Sequence, residues 1–101
     1  MKVAINGFGR IGRLIFRQIF DDPALEVVAI NDLTSPKMLA HLLKYDSVQG
    51  KYAGHTVTWS DEEILVDNQR IPIYAEADAC KLPWRELKID VVLECTGRYT
   101  S

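Results

Sequence analysis

Three glycines near the start of the chain have the spacing of a phosphate-binding turn. Gly7, Gly9 and Gly12 follow an apolar run at residues 2–6, and a helical pattern begins directly after them. The first glycine permits a sharp turn, the second lets a phosphate approach the backbone, and the third lets the helix lie close to the strand. The helix N-terminus adds N–H groups and a positive dipole end. The pattern therefore predicts a site for a nucleotide pyrophosphate.

A carboxylate follows the glycines at the distance expected of a ribose ligand. Asp32 lies 20 residues after Gly12 (32 − 12), at the end of a second apolar run. It could accept hydrogen bonds from both hydroxyls of an adenosine ribose. The 2′-phosphate of NADP would lie against the same carboxylate, and two unit charges about 4 Å apart repel by ~4 kcal/mol at an effective dielectric of about 20. The sequence thus favours NAD, although an Asp here could instead only cap a turn.

The segment Cys95-Thr96-Gly97 ends the last apolar run of the chain. A cysteine on a buried strand with no histidine near it in sequence is usually inert, so Cys95 is not expected to be a nucleophile. Thr96 and Gly97 are expected to offer backbone groups to the cofactor. Tyr99 could lie against an adenine, although an aromatic residue here is often only part of the core.

The basic residues and histidines give weaker signals. Arg10 opens the helix beside the predicted phosphate site, whereas Arg13 and Arg17 are expected to form a solvated face or to pair locally. His41 is expected on a helix face and His55 at the surface, neither with partners at catalytic or ligand spacing. We therefore predict no catalytic group and no metal site in this chain.

The elements that would position these residues alternate between strand and helix. The patterns predict a buried strand at 2–6, a helix at 10–20, a strand at 25–30 and a helix at 36–44. Ser35 and Pro36 are a good N-cap and first helical residue. The first helix is expected to bury Ile11, Leu14, Ile15 and Ile19, and the second to bury Leu39, Leu42 and Leu43.

The second half of the chain predicts a small antiparallel insert followed by one more strand. Residues 56–59, 63–66 and 70–74 have the pattern of short antiparallel strands, 82–87 that of a helical turn, and 90–95 that of a buried strand. This order predicts an α/β fold: a Rossmann-type, mostly parallel sheet with a small antiparallel insert. Ligands of such sheets bind at the carboxyl ends of the strands, where segments 6–9, 31–33 and 95–97 would converge.

Composition bounds the partners of the chain. A net charge of −2 with no basic run argues against nucleic acid or an anionic membrane as a partner. No apolar run approaches the ~20 residues of a membrane span, and no signal-peptide pattern opens the chain. Its 101 residues fit one domain, and its two cysteines are too few for a disulfide framework, so we expect a cytoplasmic protein.

Four stretches of the sequence closely resemble the N-terminal segment of the phosphorylating glyceraldehyde-3-phosphate dehydrogenase family. They are Ile5-Asn-Gly-Phe-Gly-Arg-Ile-Gly-Arg13, Ala29-Ile-Asn-Asp-Leu33, Leu42-Leu-Lys-Tyr-Asp-Ser-Val-Gln-Gly50 and Asp90-Val-Val-Leu-Glu-Cys-Thr-Gly97. They extend along the chain in order, so residues 1–101 resemble the N-terminal part of a dinucleotide-binding domain. The resemblance implies an NAD-dependent enzyme of glycolysis that is a homotetramer when full length. It would oxidatively phosphorylate glyceraldehyde 3-phosphate through a covalent thioester, with hydride passing to NAD.

The resemblance also implies which residues contact NAD. Residues 6–11 would surround the pyrophosphate, Asp32 would hold the adenosine ribose, and the segment from Thr96 to Tyr99 would complete the adenine side. Together with the spacing arguments, the predicted cofactor-binding residues are Asn6, Gly7, Phe8, Gly9, Arg10, Ile11, Gly12, Asn31, Asp32, Leu33, Thr96, Gly97 and Tyr99.

The chain departs from the family in three respects. The nucleophile motif Ser-Cys-Thr-Thr-Asn, the base histidine and the substrate-phosphate sites lie beyond residue 101, so the chain alone is expected to be inactive. The family often has Arg after the Glu where Ala77 follows Glu76, and His where Gln49 stands. Two alternatives remain: the related erythrose-4-phosphate dehydrogenase, and a stand-alone nucleotide-binding module without catalysis.

Overall fold

The chain forms one mixed β-sheet with two α-helices. The computed structural model describes residues 1–45 and 55–96. The predictions for Gln49, Gly97 and Tyr99 lie outside these residues. In chain order the elements are β1 (Lys2–Asn6), α1 (Arg10–Ile19), β2 (Glu26–Asn31), α2 (Pro36–Tyr45), β3 (Val57–Trp59), β4 (Glu63–Val66), β5 (Gln69–Tyr74), a 3₁₀ helix (Ala79–Lys81) and β6 (Val91–Glu94).

The strand order places β1 second from one edge of the sheet, between β2 and β6. The six strands lie in the order β3-β4-β5-β2-β1-β6. β1 pairs in parallel with β2 and β6, and β2 pairs in parallel with β5, whereas β3-β4 and β4-β5 are antiparallel. The predicted α/β fold with a mostly parallel sheet and an antiparallel insert is confirmed. The insert belongs to the same sheet, however, because β5 pairs with β4 on one side and with the parallel strand β2 on the other.

The helix and strand boundaries follow from local signals in the sequence. The Ser35 hydroxyl accepts a hydrogen bond from the Met38 N–H at 3.2 Å, so Ser35 caps α2 as predicted. β4 and β5 are joined at Asp67 and Asn68, both with positive φ (51° and 71°), the conformation that a tight hairpin of right-twisted strands requires. The predicted helical turn at 82–87 is present as one turn, in which the Leu87 N–H donates to the Pro83 carbonyl at 3.0 Å.

The prediction of the buried face of α1 was wrong for Ile11 and Leu14, whereas Ile15 and Ile19 are half-buried and Ile19 packs against the core. Gly12, Arg13 and Phe16 are the buried residues of the helix, while Ile11 and Leu14 are 58% and 48% exposed. The absent side chain of Gly12 lets the helix approach the sheet there, so residues 12, 16 and 20 face the core at a spacing of four. Ile11 and Leu14 are consequently turned away from the sheet.

One apolar core lies under both helices. It consists of Ile5, Phe8, Phe16, Val27, Ile30, Leu39, Ala40, Leu43, Val57, Ile64, Val66 and Ile71. Leu39 and Leu43 are buried as predicted, and Leu42 is only half-buried. Residues 91–93 of β6 are also half-buried rather than buried, because β6 lies at the edge of the sheet. No helix among the described residues is long and apolar enough to cross a bilayer.

Candidate functional site

A crevice lies at the carboxyl ends of the parallel strands. Of the predicted cofactor-binding residues, those that line it are Asn6, Gly7, Gly9, Asn31, Asp32, Leu33 and Thr96. The three chain segments expected to converge therefore do meet at one place. The individual contacts of these residues with a cofactor stay predictions.

The crevice has a fourth wall that the sequence patterns did not predict. Glu76 and Ala77, which follow β5, line it together with the others, as does Cys95. β5 was predicted only as part of an antiparallel insert. Because it also pairs in parallel with β2, its carboxyl end reaches the same sheet edge as the ends of β1 and β2. Sequence patterns missed this wall because the pairing of β5 with β2 leaves no local signature in the sequence.

The three glycines have different local surroundings. Gly7 has a φ of +95°, and a Cβ built on it would lie 2.8 Å from the Thr96 N atom. A Cβ on Gly12 would lie 2.3 Å from the Gly7 carbonyl oxygen, whereas a Cβ on Gly9 would meet no atom within 4 Å. Gly7 and Gly12 are thus required by the packing of the turn, while Gly9 leaves open space at the crevice.

α1 begins at Arg10, directly after Gly9, which lines the crevice. The Arg13 N–H donates to the Gly9 carbonyl at 2.9 Å, which closes the first helical hydrogen bond. The N–H groups of the residues before it have no acceptor within the helix. No acidic side chain lies in this first turn. The turn and the helix start therefore form a suitable anion site.

Asp32 is held by the backbone on both oxygens. Its Oδ2 accepts a hydrogen bond from the Phe8 N–H at 2.7 Å, and its Oδ1 accepts one from the Thr34 N–H at 2.9 Å. The carboxylate thereby joins the glycine turn to the end of β2. Each carboxylate oxygen can accept a second hydrogen bond, so both ribose hydroxyls could still be bound. The turn-capping and ribose-binding interpretations of Asp32 are therefore compatible.

The side chains of Asn6 and Asn31 hydrogen-bond to protein groups beside the crevice. Asn31 Nδ2 donates to Asn6 Oδ1 and to the Glu76 carbonyl, each at 2.9 Å, and Asn31 Oδ1 accepts from the Glu76 N–H at 2.9 Å. Asn6 Nδ2 lies 2.9 and 3.1 Å from the two carboxylate oxygens of Glu94. Both asparagines are 6% exposed.

Four predicted residues do not line the crevice. The Phe8 side chain is fully buried in the core, and Gly12 is buried beneath the turn. Arg10 and Ile11 are exposed. Any contact of Phe8 with a cofactor would have to come from its backbone, whose N–H is already donated to Asp32.

Arg13 and Arg17 were expected to form a solvated face or to pair locally, and the solvated face was wrong. Arg13 is only 7% exposed, and its Nη1 donates to the Phe8 carbonyl at 3.0 Å. Arg17 Nη2 donates to the Leu43 carbonyl at 3.1 Å and so connects α1 to the last turn of α2. In each case one guanidinium nitrogen donates to a backbone carbonyl of another segment. Both arginines therefore have a structural role: Arg13 binds the glycine turn, and Arg17 links the two helices.

Cys95 lies at the crevice with an unreactive thiol. Burial, and secondarily the negative charge of Glu94, raise the pKa of the Cys95 thiol above its ordinary value. The thiol therefore stays protonated near neutral pH, which is unfavourable for a nucleophile. Within residues 1–45 and 55–96, no three His, Cys, Asp or Glu side chains lie together as a metal site would require.

The description of His55 as a surface residue was wrong. Its ring is largely enclosed, with Nδ1 2.5 Å from Asp67 Oδ2 and Nε2 3.2 Å from Asp21 Oδ2. The ring also packs edge-on against Phe20. His55 lies far along the chain from these partners and joins the end of α1 to the β4-β5 hairpin, away from the crevice. It has a structural role that sequence spacing does not reveal.

Comparison with known proteins assigns the family. A family model described as the NAD binding domain of glyceraldehyde 3-phosphate dehydrogenase matches residues 1–101. The chain belongs to this family. NAD is accordingly the cofactor of this domain.

Similar proteins carry the same name in several bacteria. The chain is 61% identical over 100 residues to the glyceraldehyde-3-phosphate dehydrogenase of Clostridium pasteurianum, and 55% identical over 102 residues to that of Thermotoga maritima. It is 48% identical over 101 residues to the corresponding protein of Mycoplasma pneumoniae. These matches cover 99–100% of the chain but only 30% of each relative, so the chain spans about a third of their length.

The crevice fits a dinucleotide. The open space at Gly9 gives a phosphate access to the backbone, and the helix start supplies N–H groups without an acidic neighbour. Asp32 retains free lone pairs for hydroxyls on the adjacent strand end. The anion site and the hydroxyl site lie in one crevice, as a pyrophosphate joined to a ribose requires.

Proposed function

We propose that the natural protein containing this chain is a phosphorylating glyceraldehyde-3-phosphate dehydrogenase. It would convert glyceraldehyde 3-phosphate and inorganic phosphate to an acyl phosphate, and bound NAD would accept the hydride. The observation that carries the proposal is the match of the family over residues 1–101, with the glycine turn and Asp32 at one crevice. Residues 1–101 would supply the cofactor half of the active site.

Particular groups of the chain would hold NAD. The backbone of the glycine turn and the start of α1 would face the pyrophosphate, and Asp32 would accept hydrogen bonds from the adenosine ribose. The Thr96 side of the crevice, with Gly97 and Tyr99, would complete the adenine site opposite Ala77. A 2′-phosphate beside Asp32 would be repelled, which supports a preference for NAD over NADP.

The chemical step would require groups outside residues 1–101. A covalent thioester needs an activated nucleophile with a base beside it. Cys95 does not meet this need, because its pKa is raised and His41 and His55 lie elsewhere in the fold. We therefore propose that residues 1–101 alone bind NAD weakly and oxidise no aldehyde. We further propose a cytoplasmic homotetramer for the full-length protein.

A kinetic assay of the natural gene product tests this function. We expect NADH formation with glyceraldehyde 3-phosphate that depends on inorganic phosphate and is much slower with NADP. Faster turnover of erythrose 4-phosphate would favour the related dehydrogenase instead. A gene product that ends at Ser101, as measured by its mass, and forms no NADH would favour a stand-alone nucleotide-binding module. Residues 1–101 expressed alone serve as the control, for which NAD binding is measured by calorimetry.

A further inference from the structure

Two buried asparagines form a continuous chain of hydrogen bonds across the strand ends. The chain runs from the Glu94 carboxylate through the Asn6 and Asn31 amides to the backbone of Glu76. It crosses the ends of β6, β1 and β2 and reaches the segment after β5. Asn6, Asn31 and Glu76 line the crevice, and Glu94 directly precedes Cys95, which also lines it.

The backbone hydrogen bonds beside this chain are made separately. The Gly7 N–H donates to the Asn31 carbonyl, the Cys95 N–H to the Asn6 carbonyl and the Asp32 N–H to the Tyr74 carbonyl, each at 2.8 Å. The side-chain amides thus add a second row of bonds to the sheet at its carboxyl edge. This row reaches Glu76, which the sheet hydrogen bonds of β5 do not hold.

The hydrogen-bonding groups of the Asn31 side chain are all used within the protein. Both Nδ2 hydrogens of Asn31 have protein acceptors, and its Oδ1 has a protein donor. The Asn31 amide donates two hydrogen bonds and accepts a third, whereas an ionised carboxylate in its place could only accept. Asn31 therefore has no side-chain donor left for a cofactor.

We propose that Asn6 and Asn31 are positioning residues, whose amide chain sets the distance between the Glu76–Ala77 wall and the Cys95–Thr96 wall of the crevice. This inference rests on the proposed role of the crevice as the NAD site. The two side chains act on NAD affinity through the walls that they hold, without donating to the cofactor. Glu94 lies at the exposed end of this row of hydrogen bonds, where its carboxylate accepts from the Asn6 amide.

The principal test is the variant Asn6→Asp in the natural protein. The new carboxylate still accepts from Asn31 but faces the Glu94 carboxylate without a donor, so the two repel and the β1 and β6 ends separate. We expect NAD binding at about pH 8 to weaken about tenfold, the loss of a hydrogen bond to a charged group. At about pH 5.5 a proton shared by the two carboxyl groups restores a donor, and affinity recovers toward that of the parent.

Variants at Glu94 keep the test decisive if Asn6→Asp fails to fold, because Glu94 is exposed. Glu94→Ala removes the acceptor, and we expect NAD binding about threefold weaker. Glu94→Gln keeps an acceptor oxygen and restores the affinity. Ile64→Val, in the core at β4, is the control for a small loss of stability and leaves the affinity unchanged. Circular dichroism confirms that each variant is folded at every pH used.

Two results would overturn the inference. One is a folded Asn6→Asp variant whose NAD affinity matches the parent or is weakened equally at both pH values. The other is equal NAD affinity of Glu94→Ala, Glu94→Gln and the parent. In both cases a parent that binds NAD leaves the proposed function intact. A parent that binds no NAD overturns the assignment of the crevice itself, and calorimetry on the parent distinguishes the two failures.

Discussion

Substitutions of single residues at the crevice can distinguish effects on stability from effects on NAD binding, and the glycines offer the clearest case. A Cβ on Gly9 would meet nothing within 4 Å, and Gly9 has an extended backbone (φ −75°, ψ −161°) that alanine can adopt. We expect Gly9→Ala to fold with an unchanged denaturation midpoint. Its methyl group would occupy the space through which a phosphate reaches the backbone, so NAD binding should weaken about tenfold. Calorimetry and urea denaturation measure the two effects.

The matched control is Gly12→Ala. Its Cβ would lie 2.3 Å from the Gly7 carbonyl oxygen, so α1 must shift away from the turn. Overpacking of this kind costs about 1–3 kcal/mol of stability. The interpretation fails if Gly12→Ala is as stable as the parent, or if Gly9→Ala binds NAD as tightly as the parent does.

Asp32 has two roles that substitution can divide. Asp32→Ala removes the negative charge and also the acceptor for the Phe8 N–H, whereas Asp32→Asn keeps one acceptor oxygen. Because repulsion of the 2′-phosphate depends on the charge, both variants should narrow the difference in affinity between NAD and NADP by at least about tenfold. Asp32→Ala should lower stability more than Asp32→Asn, because it leaves both the Phe8 and the Thr34 N–H without an acceptor. Equal NAD-to-NADP affinity ratios in the parent and both variants, by calorimetry, would show that Asp32 is not the selector.

At the scale of elements, the sequence predicted where strands and helices lie better than which of their sides are buried. β1, α1 and β4 have nearly the predicted bounds, because apolar periodicity, caps and turn residues are local signals. The buried side of α1 is decided by the close approach at Gly12, which involves Gly7 from another element. Arg13 was assigned to solvent for the same reason, since its acceptor is the Phe8 carbonyl of the turn.

His55 holds two elements together in a way that depends on pH. Burial by itself lowers the pKa of His55, but the hydrogen bond that its ring donates to Asp67 and the charges of Asp21 and Asp67 outweigh burial and raise the pKa above its ordinary value of 6.5. The protonated ring is therefore favoured in the folded state. Its contribution to stability is complete below the pKa of the unfolded chain and is lost as the pH rises through the raised pKa of the folded state.

This linkage predicts the pH dependence of a His55→Gln variant. The loss of stability relative to the parent should be largest at about pH 6 and should shrink as the pH rises past the folded pKa of His55. His41→Gln, an exposed histidine on α2, is the control and should show no comparable trend. Urea denaturation of the natural protein at several pH values measures both. A stability difference that grows between pH 6 and 9 would contradict the role assigned to the ring.

At the scale of the whole molecule, the place of the crevice was predictable but its full outline was not. The parallel strand order follows from alternating strands and helices, and with it the edge where Gly9 and Asp32 meet. The wall at Glu76 depends on the pairing of β5 with β2, a contact between segments about 40 residues apart. Such non-local pairing is fixed by the summed packing of the sheet, and no short motif records it.

The exposed apolar surface predicts how the chain behaves apart from the rest of its protein. Ile11 and Leu14 are 58% and 48% exposed, and the half-buried β6 is a sheet edge. The relatives are about three times as long as this chain, so we expect further parts of the natural protein to cover this surface. Covered apolar side chains contribute to stability, whereas exposed ones promote association.

Leu14→Lys should therefore improve the solution behaviour of residues 1–101 expressed alone but destabilise the natural protein. In residues 1–101 expressed alone, it should reduce aggregation and leave the denaturation midpoint nearly unchanged, because only exposed apolar surface is lost. In the natural protein, it should lower stability by about 2 kcal/mol or more, because a charge would replace a leucine that we expect other parts of that protein to cover. Gln18→Lys, an exposed polar position on the same helix, is the control and should be neutral in both. Light scattering and urea denaturation measure the effects, and a natural protein indifferent to Leu14→Lys would show that this surface of α1 stays open to solvent.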